Sequence, residues 1–143
     1  MKPTDWLVIA VTVAGVVAFM AGLFWAIAHL GGWAALAREY PAHEPAPDAD
    51  RGFGSLTIGR WCNYNNCIRW RADDDYLHLS LLAPFSSFHA PVSIPWVDAT
   101  LTRRFFGRCT LKAGRYSLTV PARMVARELH TRALLAGQPS PIA

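Results

Sequence analysis

Hydrophobic and polar positions divide the chain into two regimes. From Trp6 to Leu30 it reads WLVIAVTVAGVVAFMAGLFWAIAHL, with Thr12 and His29 the only polar side chains. A helix needs about 20 apolar residues to cross the hydrocarbon layer, so this run predicts a transmembrane helix. Past residue 52, apolar and polar residues alternate in short runs bounded by turn formers, the pattern of strands with one buried face. Seven strands are expected, over 55–61, 67–71, 76–82, 92–97, 100–106, 108–113 and 115–120. In the third, Leu77, Leu79 and Leu81 make a core face, while Tyr76, His78 and Ser80 make a wetter one. Asn63-Tyr64-Asn65-Asn66 and Asp73-Asp74-Asp75 are read as turns, and Gly107 and Gly114 as the positive-φ positions of two tight hairpins. Pro95 lacks an amide donor, which places its strand at an edge or a bulge.

The period changes once more after Pro121, a residue suited to a helix start. Ala122, Val125, Ala126, Leu129, Ala133 and Ala136 fall on one arc about 100° wide, and Gly137 suits the helix end. Arg123, Arg127 and His130 lie together on another, exposed side. Between the two regimes, YPAHEPAPDADRG over 40–52 carries three prolines and no periodicity, the composition of a semi-extended linker. The expected organisation is therefore 1–38, a transmembrane helix with its flanks; 39–52, a Pro-rich linker; 53–137, a β domain with a C-terminal helix; and 138–143, a tail. The fold class is membrane-anchored α+β: one N-terminal transmembrane helix, then a seven-stranded antiparallel β-barrel or sandwich capped by a C-terminal helix.

Charge sharpens this division. The 143 residues hold 14 Lys and Arg against 10 Asp and Glu, and none of these lies between Asp5 and Arg38. A cleavable signal peptide competes with the retained helix, because Ala26-Ile27-Ala28 fits a small-x-small cleavage site, but signal cores run only about 7–15 residues. Trp6 and Trp33 are placed to mark the two membrane surfaces. Lys2 and the N-terminal amine stand against Asp5 on one side, and Arg38 and Arg51 follow on the other, so the positive-inside rule does not decide orientation. Cys62, Cys67 and Cys109 are odd in number, whereas exported domains more often pair their thiols; this favours a cytoplasmic C-terminal domain. Within the helix, Ala10, Ala14, Ala18, Gly22 and Ala26 recur at every fourth position. Such a ridge of small side chains admits close approach by a second helix, unless it reflects an Ala-rich composition alone.

Residues 101–143 carry Arg103, Arg104, Arg108, Lys112, Arg115, Arg123, Arg127 and Arg132 against Glu128. Phe105 and Phe106 stand among these cations at a hairpin tip, and Phe85 and Phe88 sit in the longest loop. Aromatics beside cations suit a protein interface, and a tethered basic surface also attracts anionic headgroups at about 1 kcal/mol per close cation. Arg103, Arg104, Phe105, Phe106, Arg108, Lys112, Arg123 and Arg127 are accordingly the candidate interface or lipid residues. Alternation turns one Phe of the 105–106 pair into the core. Nucleic-acid binding lacks a stacking motif interleaved with these cations.

Catalytic chemistry finds no motif. Cys62 and Cys67 have C-x₄-C spacing without a second pair, and His43, His78, His89 and His130 complete no zinc pattern. No P-loop, G-x-S-x-G or G-x-G-x-x-G occurs. No catalytic residue, metal, cofactor or small-molecule substrate is expected.

Seven antiparallel strands and one C-terminal amphipathic helix follow the element order of the pleckstrin-homology-like fold, and Ser93-Ile94-Pro95-Trp96-Val97-Asp98 resembles the Ile-Pro-aromatic-x-acidic stretch of its bacterial members. With Tyr64-Asn65-Asn66-Cys67 behind an N-terminal anchor, the chain resembles a group of single-pass bacterial membrane proteins. The resemblance implies an inner-membrane location and a binding or scaffolding module. Lipid-binding members place a basic residue at the end of strand one and a basic-x-Arg pair in strand two; Arg60, Arg69 and Arg71 occupy comparable places, though Arg69 and Arg71 also fit the polar side of an alternating strand. The expected function is a non-catalytic accessory or assembly subunit of a larger integral membrane complex. The alternative is a membrane-anchored module for anionic lipid headgroups.

Overall fold

An apolar run without charge offers nothing to interrupt a helix, and α1 (Pro3–Leu30) takes up all of it. The computed structural model describes residues 2–103 and 106–137; Arg104, Phe105 and the tail at 138–143 lie outside the described residues. Pro3 occupies the first turn, where its missing donor costs nothing, and the Asp5 carboxylate accepts the Lys2 amide at 2.9 Å. The helix is long and apolar enough to cross a membrane.

Gly31 and Gly32 end it. Gly32 has φ +86°, and a Cβ on Gly31 would lie 2.5 Å from Cys62 Sγ, so the helix end is held against the sheet. The chain turns into α2 (Trp33–Glu39), which folds over the barrel core. This overturns the reading of Trp33 as a membrane-surface marker. Its ring is fully buried and its indole donates to the Ala90 carbonyl at 2.8 Å, because a short amphipathic helix following the glycines covers the open end of the core.

The strands are β1 (Asp50–Ile58), β2 (Cys62–Ala72), β3 (Tyr76–Leu81), β4 (Val92–Pro95), β5 (Ala99–Arg103), β6 (Arg108–Ala113) and β7 (Tyr116–Pro121). All pair antiparallel in the order β4-β3-β2-β1-β7-β6-β5, a sheet curled into a nearly closed barrel. Leu77, Leu79 and Leu81 do face the core, opposite Ala72, Trp70 and Ile68. Pro95 ends the edge strand β4, and Gly107 and Gly114 take positive φ in the two hairpins as expected.

One expected turn is misplaced. The β1–β2 reversal occurs at Gly59-Arg60-Trp61, and Asn63–Asn66 belongs to β2. There the register slips between Gly54 and Leu56, and Asn66, at φ 53°, forms a bulge held by its amide donating to Ser55 Oγ at 2.8 Å. The αL tolerance of Asn serves a bulge as well as a turn. The single terminal helix also differs: a 3₁₀ turn (Ala122–Met124) precedes α3 (Ala126–Leu135), and Met124 with Val125 supplies the fully buried contacts.

Candidate functional site

The segment after α2 does not hang free between helix and barrel. Pro41 bridges to Val92, the Ser93 amide donates to the Tyr40 carbonyl at 3.3 Å, and the His43 ring stacks on Tyr76 at 4.7 Å. The stretch 40–48 therefore lies on the outer face of β3 and β4. It buries His78, which the alternating pattern had left on the wetter side.

Asp73 anchors this arrangement. Its Oδ1 accepts the amides of Asp75 (3.0 Å) and Tyr76 (2.7 Å), the local turn expected of consecutive aspartates. Oδ2 accepts the Ala46 amide at 3.0 Å and meets His78 Nε2 at 2.9 Å. Burial alone would raise the Asp73 pKa, but the hydrogen bonds from Ala46, His78, Tyr76 and Asp75 outweigh it and hold it at about 2. The carboxylate is thus ionised and Nε2 carries the proton it receives. His78 Nδ1 lies 2.8 Å from Ser93 Oγ, and Ser93 Oγ accepts the His43 amide at 2.8 Å. A Ser-His-Asp chain shares its connectivity with a nucleophilic relay. Here Ser93 is buried under the chain it bonds, and the His43 and Ala46 amides tie the 43–46 backbone to Ser93 and Asp73. The geometry is that of a clamp.

Beside the clamp three arginines stand together, with Glu44 and Asp48 of the covering segment lining a neighbouring cavity with two of them, Arg51 and Arg71. Arg51 and Arg71 are direct cross-strand partners, as are Phe53 and Arg69; Arg71 also faces His78, and Arg69 faces Ser80. These side chains share the outer face of β1–β3. The Arg69 guanidinium stands 6.0 Å from the Phe53 ring centroid. None of Arg51, Arg69 and Arg71 meets a carboxylate among the described residues. Adjoining cavities of about 290 Å³ and 360 Å³ share Arg69 and Arg71 as walls; His43, His78 and Ser93 line the first, Arg51 and Phe53 the second. A Cβ on Gly52 would lie 2.9 Å from the Trp70 ring, so glycine there lets the strand sit down on the core between two outward side chains.

The residues singled out from sequence fall elsewhere. Arg103, Arg108 and Lys112 are exposed on the β5–β6 hairpin, with Phe106 fully exposed at its tip. Arg123 and Arg127 also make contacts within the chain. Arg123 donates to the Phe53 carbonyl at 2.8 Å, and Arg127 pairs with Asp48 at 3.0 Å and Asp74 at 2.9 Å, because α3 packs where β1 and the turn before β3 converge. Arg132, never a candidate, donates to the Trp96 and Ala99 carbonyls at 2.9 and 2.8 Å. Arg60 sits at the β1–β2 turn, away from Arg69 and Arg71. Of the helix ridge, Ala10, Ala14, Ala18 and Gly22 are exposed and Ala26 is partly covered; a Cβ on Gly22 would meet nothing within 4 Å.

Arg51 escaped the sequence reading because the first strand was begun at residue 55. Extending its alternation back through Phe53 puts Arg51 on the polar face. Burial raises the thiol pKa of Cys67 and Cys109, and the three cysteines are unpaired. Among the described residues no group of three or more His, Cys, Asp or Glu side chains is arranged to hold a metal ion. Comparisons with family models, with curated proteins and with solved structures return no match.

Proposed function

We propose that this chain is a non-catalytic single-pass membrane protein, an accessory or assembly subunit of a larger integral complex, whose β domain receives an acidic segment of its partner in the arginine-lined groove. The observation that carries the reading is the Arg51–Arg71 pair. Like charges directly opposite across antiparallel strands are destabilising, and Arg69 adds a third cation on the same face. A carboxylate-bearing segment relieves that repulsion with charge-assisted, bidentate hydrogen bonds. Phe53 supplies apolar area beside them, the mixture enriched at protein interfaces. The seven-strand-plus-helix order supports a pleckstrin-homology-like binding module, and the close approach of Gly31 to Cys62 suits a subunit whose domain sits against the end of its anchor. Arg69 and Arg71 thus act with Arg51, while the cations of the final helix brace the domain.

The test is co-purification in mild detergent from native membranes, comparing the wild-type chain with Arg51→Ala and Arg71→Ala. Each variant is expected to lose the partner while unfolding at a slightly higher temperature, since removing one member of a like-charge pair relieves about 0.2–1 kcal/mol. Undiminished recovery of the partner overturns the groove. Salt-sensitive binding to anionic vesicles that depends on Arg103 and Arg108, with no protein recovered, would replace this reading with the headgroup-binding one.

A further inference from the structure

We infer that one end of the barrel, formed by the β1–β2 turn and the loop at Phe85–Phe88, is seated in the interfacial layer of the bilayer that α1 crosses, with Trp61 and Phe88 against lipid. The inference rests on the reading of α1 as a spanning helix and adds where the β domain stands relative to it.

With Trp33 inside the barrel, the second aromatic marker on α1 is Trp25, which is exposed and stacks on His29 at 4.3 Å. Trp6 and Trp25 are 19 residues apart, about 28 Å along a helix, close to the roughly 30 Å of a hydrocarbon core. The interface therefore falls at Trp25, not beyond the helix end. The Phe85–Phe88 loop of the β domain reaches that depth. Phe85 packs edge-on against Phe24 at 4.8 Å, and Phe88 lies 6.3 Å from the same ring. Cys62 lies against Gly31, the residue after α1, which brings the β1–β2 turn that precedes it to the same end of the domain, about six residues farther along the chain than Trp25.

The chemistry of this end matches the layer it meets. Trp61 is 93% exposed and Phe88 37%, although both rings bury large apolar area wherever a surface is offered. Amphipathic rings are the side chains enriched at headgroup depth. Apart from Glu39 at the end of α2, which lies 3.8 Å from Arg115, no carboxylate occurs between residues 6 and 39, 52 and 72, or 76 and 97, whereas Arg60 stands at the β1–β2 turn without a partner among the described residues. A cation among anionic headgroups gains about 1 kcal/mol. A lipid surface is thus the occupant that the position along α1, the ring exposure and the charge all select.

The experiment uses the full chain with Trp6→Phe and Trp25→Phe, reconstituted in phosphatidylcholine vesicles with or without brominated acyl chains. Four tryptophans remain, of which Trp33, Trp70 and Trp96 are buried in the barrel. Bromine is expected to remove the Trp61 share of the emission, aqueous iodide to leave it, and Trp61→Phe on the same background to abolish the bromine effect. Emission from Trp61 quenched by iodide but not by bromine overturns the seat. Shielding from both quenchers marks a contact with a second copy and overturns it equally. Alkaline carbonate extraction of the same vesicles separates the underlying reading: retention with iodide-quenched Trp61 refutes the seat alone, and release of the chain refutes the spanning helix and the seat together.

Discussion

Asp73 answers four donors with one carboxylate, and its consequences are local and measurable. With a pKa near 2 in the fold against about 3.9 unfolded, it adds stability that is fully present above the unfolded value and is lost as pH falls through the folded one. The amount is about 2 kcal/mol. Urea midpoints of the detergent-solubilised chain should therefore drop between pH 4 and 2. Asp73→Asn should lower the midpoint at pH 6 and flatten the acid slope, because an amide cannot accept from all four donors. An unchanged slope would assign the acid loss to another group. This residue was legible only as a turn former. Consecutive aspartates announce a turn through their short-range bonding, but the Ala46 amide comes from far along the chain, and no local pattern reports such a partner. The same limit hid the partners of Arg127, read as an interface or lipid residue, and of Arg132, read only as one of the basic charges.

Elements were legible where the period was strong. The apolar run that became α1, the Leu77-Leu79-Leu81 alternation and the two glycine hairpins all follow from side-chain direction, which is fixed by backbone geometry. Boundaries failed where one residue type serves two geometries: Asn66 makes a bulge and not a turn, and Met124 enters the core from a 3₁₀ turn that a purely helical period cannot place. The ridge on α1 remains an element-scale expectation with a clean test. A Cβ on Gly22 meets nothing within 4 Å, and Ala18 is exposed, so Ala18→Leu with Gly22→Leu is accommodated within a single chain. The double variant should insert into membranes and keep the wild-type thermal midpoint, yet lose co-purification with an integral partner, since helix association in lipid depends on close packing. Retained co-purification would reduce the ridge to composition.

At the scale of the molecule, the β domain begins inside what composition marks as anchor and linker. Trp33, Leu36 and Tyr40 belong to the same buried cluster as the strands, and the backbone at 43–46 completes the hydrogen bonding of Ser93 and Asp73. Prolines without periodicity signal absence of regular structure; they do not signal absence of contact, and here an irregular segment covers a sheet face that would otherwise expose His78. The division at residue 52, natural from sequence, therefore cuts through the core. Each fully buried apolar side chain contributes about 1.5–3 kcal/mol, so the loss of these three removes about 5–9 kcal/mol from a domain whose whole stability is about 5–15 kcal/mol. Loss of Trp33 also strips the Ala90 carbonyl of its donor and takes away the ring packed against Tyr64 and His89. A soluble chain of residues 32–137 is expected to unfold cooperatively in urea with a native near-ultraviolet circular dichroism spectrum. The shorter 53–137 is expected to lose that spectrum and aggregate or unfold without a sharp midpoint. Equal midpoints for the two would show that α2 and the segment after it lie on a core already complete without them.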